Sequence, residues 1–135
     1  MTFVPLHWGH QYLTGVKEID LQHHYFMELI NRIGRELEST EDHSHRERLM
    51  NELGKYATFH FVSEENLMLK MGYPKFNQHV LLHRELLDKL SSHRIQDSPE
   101  AFIGFLTAWF LNHTIEQDQK IGDFQKHTAS AVSAP

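Results

Sequence analysis

Two pairs of side chains in this sequence stand at the spacing that lets a helix present two ligands to one metal. His60 and Glu64 are four residues apart, and so are His79 and His83. Residues i and i+4 of a helix project from one face a turn apart, so each pair can chelate. The imidazoles are neutral donors, and the Glu64 carboxylate has two oxygens with which to bridge two ions. Between the pairs lies Gly72-Tyr73-Pro74, where glycine suits the end of a helix and proline cannot continue one. The pairs therefore belong to consecutive antiparallel helices. His60 precedes Gly72 by 12 residues and His83 follows it by 11, so at about 1.5 Å per residue the two are level within about one turn.

The elements that must hold these groups are four helices. Residues 17–38 carry the stripe Ile19, His23, Phe26, Ile30, Ile33, Leu37, spaced alternately four and three, as in a bundle seam. Residues 45–71 carry Leu49, Leu53, Tyr56, His60, Glu64, Leu67 and Met71, and residues 74–95 carry Phe76, His79, His83, Leu86 and Leu90. A fourth helix over residues 99–124 starts at Ser98-Pro99-Glu100 and shows Phe102, Leu106, Trp109 and His113. Residues 39–44 and 96–98 read as loops. Residues 1–16 lack a sustained period and read as an extended arm with Trp8 and Tyr12 packed on the bundle. The Ala/Ser-rich residues 127–135 read as a flexible, frayed tail. Four helices with short connections predict one all-α domain over residues 1–135, an antiparallel up-down-up-down four-helix bundle spanning residues 17–126.

Histidine interrupts the seam of every helix at comparable depth. A buried polar side chain must be paired or ligated, or it costs a few kcal/mol, so five converging imidazoles with Glu64 point to a metal. Periodicity chooses His23 over His24, because His24 turns toward the Asp20/Glu28 face. His7, His10, His43, His45, His93 and His127 fall in the arm, in loops or off the ligand layer. Asp118 stands five residues beyond His113, about 140° away around a straight helix, so it joins the layer only if the helix widens locally.

The donor set is then His23, His60, Glu64, His79, His83, His113 and Asp118. Seven exceed the three or four that a tetrahedral zinc takes. Shared between two six-coordinate ions, with both carboxylates and one oxygen bridging, they leave one position open to a small ligand. Imidazole and carboxylate together suit iron, with manganese or zinc allowed by donor type. The rest of the composition narrows the chemistry. With no cysteine, there are no disulfides, thiolate zinc sites, iron–sulfur clusters or cysteine nucleophiles. A net charge of −5 without a basic run argues against nucleic acid and anionic membranes. No apolar run approaches a membrane span and no signal peptide is evident, so a cytoplasmic protein without membrane insertion is expected.

The chain resembles the bacterial hemerythrins, non-haem di-iron oxygen carriers. The resemblance rests on Trp8; on Thr14-Gly15-Val16-Lys17-Glu18-Ile19-Asp20-Leu21-Gln22-His23; on His60-Phe61-Val62-Ser63-Glu64-Glu65; on Tyr73-Pro74 with His79 and His83; and on Trp109 with His113 and Asp118. It covers roughly residues 8–125 and fills all seven ligand positions. It implies that His79, His83 and His113 hold a six-coordinate iron, that His23 and His60 hold a five-coordinate one, and that Glu64 and Asp118 bridge beside an oxo or hydroxo group. Dioxygen would bind reversibly at the open iron, for transport, storage or delivery, in a pocket of Phe26, Phe61, Trp109, Phe110 and Thr114. Family members commonly carry Leu and Ile where this chain has Phe110 and Thr114. The expected protein is a monomer and not an enzyme, with an oxygen-accepting protein as its natural partner. A sensor of oxygen, redox state or nitric oxide, and a peroxide- or nitric-oxide-consuming enzyme, are the alternatives.

Overall fold

The computed structural model describes the backbone of residues 3–92 and 99–133, and the side chains of all of these except 99, 114, 115 and 129–133. The described residues form an antiparallel up-down-up-down bundle of α1 (Lys17–Ser39), α2 (His43–Met71), α3 (Phe76–Ser92) and a composite fourth rod. That rod consists of α4 (Pro99–Asn112), a π-helical turn (His113–Asp118) and α5 (Gln119–Ser133). The arm before α1 contains one short 3-10 turn, His10–Tyr12.

Local chemistry sets the helix ends. The Asp20 carboxylate accepts hydrogen bonds from the Thr14 N–H at 2.7 Å, the Thr14 hydroxyl at 2.8 Å and the Gly15 N–H at 3.1 Å. These bonds turn the arm into α1, with Gly15 at φ 90°, a conformation that favours glycine. Asp42 caps α2 through the Ser44 N–H at 3.0 Å, which is why the helix starts two residues before the expected position. Gly72 at φ 71° closes it, with the Tyr73 N–H returning to the Met68 carbonyl at 2.9 Å. Pro74 and Lys75 fall in the turn, so α3 begins at Phe76. The end of the third helix at 95 and the loop at 96–98 lie outside the described residues. Where the sequence suggests a tail from 127, α5 continues as helix to Ser133.

The α1 seam is buried as expected, from Ile19 to Leu37. On α2 the buried face is Leu49, Leu53, Ala57, His60, Phe61, Glu64 and Met68, whereas Tyr56, Leu67 and Met71 are only partly buried. Alanine at 57 supplies a small contact that a search for large apolar residues passes over, and the inward face follows it. Two apolar clusters result. The larger one includes Phe26, Ile30, Leu53, Phe61, Leu106 and Phe110, while Val16, Ile19, Met68, Tyr73 and Ile121 form a cap at the other end.

Candidate metal centre

Seven polar side chains are buried among the described residues: His23, His60, Glu64, His79, His83, His113 and Asp118. α1 supplies His23, α2 supplies His60 and Glu64, α3 supplies His79 and His83, and the π turn supplies His113 and Asp118 at its two ends. A π turn closes its hydrogen bonds over five residues instead of four, which brings residue i+5 back above residue i. This is the local widening that Asp118 requires.

The donor atoms form two overlapping groups, each with all its atoms within 4.8 Å of one another. One contains His79, His83, His113, Glu64 and Asp118, and the other His23, His60, Glu64 and Asp118. The carboxylates belong to both because each divides its oxygens. Glu64 Oε1 lies 2.7 Å from His79 Nε2 and 2.9 Å from His83 Nε2, while its Oε2 lies 3.4 Å from His60 Nε2. Asp118 Oδ1 lies 3.1 Å from His79 Nε2 and 3.0 Å from His113 Nε2, while its Oδ2 lies 2.7 Å from His23 Nε2.

Hydrogen bonding does not account for this convergence. Glu64 Oε2, both Asp118 oxygens and His113 Nε2 are buried with no aligned hydrogen-bond partner, a costly arrangement unless a cation lies among them. The outward ring nitrogens tell the same story. His83 Nδ1–H donates to the Glu65 carboxylate at 2.7 Å, and His60 Nδ1–H donates to Gln22 Oε1 at 2.8 Å. In the neutral ring that commitment leaves Nε2 a bare lone pair. It then faces Glu64 Oε1 from His83, and the His23 Nε2 at 3.0 Å from His60. Lone pairs so close need a shared positive charge, from metal ions or from protons. Without metal, protons serve: burial disfavours charge on His60 and His79, yet the Asp118 and Glu64 carboxylates beside them outweigh it and push both up to about 9. Burial and the Asp118 charge push Glu64 upward, but the His60, His79 and His83 rings around it bring it down to about 2. The residues present fit a metal centre.

The Hemerythrin HHE cation binding domain model matches residues 14–123. The chain belongs to the hemerythrin family. A bacteriohemerythrin of Pseudomonas aeruginosa is 28% identical over 130 residues, covering 93% of this chain and 84% of that one. One from Clostridium acetobutylicum is 28% identical over 127 residues, covering 86% of this chain and 98% of its own. A crystal structure of wild-type hemerythrin superposes with a TM-score of 0.74 at 25% identity, covering 87% of this chain and 95% of the other. Hemerythrin domains bind non-haem iron, and the buried cluster here is able to hold metal.

Aromatic groups wall this hemerythrin site. Phe26 packs edge-on to His60, with centroids 5.9 Å apart, and Phe110 edge-on to His23 at 6.1 Å. Phe61 touches both groups, stacked on His83 at 4.1 Å and 12° and tilted against His60 at 5.6 Å. The Trp109 indole N–H donates to the Leu86 carbonyl at 3.0 Å, which fixes its ring between Phe26 and Phe61. The side chain of Thr114 lies outside the described residues. His24 is exposed, stacked on Trp8 at 4.9 Å and 3.5 Å from Glu28, off the cluster. Gln22 and Glu65 stand in the segments that carry the family resemblance, but sequence reasoning assigns them no role; their contacts to His60 and His83 emerge from the structure.

Proposed function

We propose that this protein binds dioxygen reversibly at a non-haem di-iron centre, as a carrier, store or delivery protein. The observation that supports this most is the division of each carboxylate's two oxygens between a three-histidine and a two-histidine group. Bridging in that way ties two ions together while leaving the groups unequal in donor number. His79, His83 and His113 would hold one iron, His23 and His60 the other, and Glu64 and Asp118 both. With one further bridging oxo or hydroxo group, the two-histidine position keeps a vacancy for a small ligand.

Iron, when bound, supplies electrons to dioxygen and takes them back. The chain's own residues bias that exchange toward release. Five imidazoles against two carboxylates put less negative charge on the metals than a glutamate-rich site does. Phe26 and Phe110, packed on His60 and His23, keep water from the two-histidine side, where it would compete for the vacancy.

The absorption spectrum of the iron-loaded, anaerobically reduced protein tests this reading. A visible band should appear on adding oxygen and vanish when oxygen is removed. A band that decays as an added reductant is consumed, with no oxygen returned, would place the protein among oxygen- or peroxide-consuming enzymes. No band at all, with two irons bound, would exclude oxygen binding.

A further inference from the structure

The two metal positions have differently charged outer partners. His83, of the three-histidine group, donates its Nδ1–H to a carboxylate, Glu65 Oε2, at 2.7 Å. His60, of the two-histidine group, donates its Nδ1–H to a neutral amide, Gln22 Oε1, at 2.8 Å. The Gln22 amide is held from behind: its Nε2 donates to Ser63 Oγ at 2.8 Å, and its backbone carbonyl accepts from the Tyr56 hydroxyl at 2.8 Å. With His60 Nε2 turned to the metal site, its Nδ1 keeps the proton, and that proton selects the amide oxygen as its acceptor. The His23 and His113 Nδ1 atoms are buried with no hydrogen-bond partner, so neither offsets the contrast between Glu65 and Gln22.

We propose that Glu65 and Gln22 are positioning residues that widen the electronic difference between the two irons, beyond the difference in histidine number, an inference that rests on the di-iron reading above. A carboxylate accepting from the far nitrogen of a metal-bound imidazole raises the basicity of the ligating nitrogen, and a neutral amide does so less. Because Glu64 and Asp118 give one oxygen to each group, their charge is shared and does not create the difference. Glu65 therefore favours the ferric charge at the three-histidine position. Gln22 leaves the two-histidine position, with its vacancy, the one more easily kept ferrous. When an added one-electron oxidant such as ferricyanide takes a single electron from the reduced pair, the three-histidine iron is oxidised and the two-histidine iron is not.

The test is a redox titration of the iron-loaded protein, with iron per chain measured on the same samples. Wild type should show two separated one-electron potentials. Glu65→Gln should raise the lower one and Gln22→Glu should lower the upper one, each by about a tenfold change in the one-electron equilibrium, ~59 mV. Both variants are near-isosteric, and Ser63 can turn its hydroxyl to donate to the new carboxylate. Both narrow the gap, but from opposite sides, which general damage to the fold does not do. If Glu65→Gln fails to fold, the sign of the Gln22→Glu shift decides by itself. Unchanged potentials, or shifts of one sign in both variants, with two irons retained, would overturn the inference and leave the di-iron reading standing. Wild type taking up fewer than two irons would instead remove that reading.

Discussion

His113 Nε2 and Asp118 Oδ1 lie 3.0 Å apart although the residues stand five positions apart in one rod. The contact exists because the turn between them is π-wound, and it lets one helix offer an imidazole and a carboxylate that reaches both donor groups. Asp118→Ala removes a donor from both groups at once. The variant is expected to fold around a less filled cavity but to hold fewer than two irons per chain. Glu64→Ala should do the same, whereas exposed His24→Ala should keep full iron. Metal analysis of the three purified variants checks this, and a His24→Ala protein stripped of iron would contradict the assigned layer.

Phe110 is fully buried against Phe26 and His23. Replacing it by alanine should destabilise the bundle by about 3–5 kcal/mol, the usual cost of such a cavity. Phe110→Leu keeps most of the volume and should instead admit water and anions to the two-histidine side. Faster oxidation in air, at unchanged iron content and a modest loss of Tm, is the expected result. Identical oxidation rates in wild type and Phe110→Leu would show that the ring does not guard the site.

Burial by itself lowers the His60 and His79 pKa values in the metal-free protein, but Asp118 and Glu64 raise them to about 9. A raised folded-state pKa contributes stability fully present below the unfolded value, about 6.5, and lost as pH climbs through about 9. Glu64, held down to about 2, gives up its share only as pH falls through that value from about 4.5. The Tm of chelator-stripped protein should therefore decline between pH 6.5 and 9. Iron-loaded protein should show no such decline, because bound ligands are already deprotonated. Calorimetry at a few pH values separates the two cases.

Two glycines of the last rod make a contrasting pair. A Cβ at Gly122 would fall 1.8 Å from the Thr14 carbonyl oxygen, while one at Gly104 meets nothing within 4 Å. Gly122→Ala should push the arm away and cost about 1–3 kcal/mol. Gly104→Ala, in an exposed stretch of α4, should stabilise by about 0.5–1 kcal/mol through helix propensity. Thermal unfolding of both variants reads the opposite signs directly.

The parts of this site that a sequence exposes are those that obey one period. His23, His60, Glu64, His79, His83 and His113 interrupt apolar seams at spacings of three and four, and the antiparallel connection at Gly72 fixes their common depth. Asp118 breaks the period, so the sequence could state only the condition for its inclusion, a widened turn. The α2 face was misread at Tyr56 and Leu67 because Ala57 and Met68 pack inward, and large partly buried side chains give the same pattern of letters. The contacts of Gln22 and Glu65, which stand in the segments that carry the family resemblance, are hidden for a different reason. Each acts through a hydrogen bond across a helix interface, and no periodicity within one helix records it.

The π turn also reaches beyond the metal layer. A turn that closes over five residues rotates everything after it relative to a straight α-helical continuation. Gln119 donates to the Gln11 carbonyl at 2.7 Å, and Gly122 lies against Thr14, so the arm docks on surfaces whose facing that rotation decides. The last rod thus runs in two phases, one set by Phe102, Leu106, Trp109 and His113, the other by Asp118, Ile121 and Gly122. Loss of one residue within 113–118 would return the rod to a single phase. Asp118 and the seat of the N-terminal arm would be misaligned together, so chain length at this turn answers two distant requirements at once.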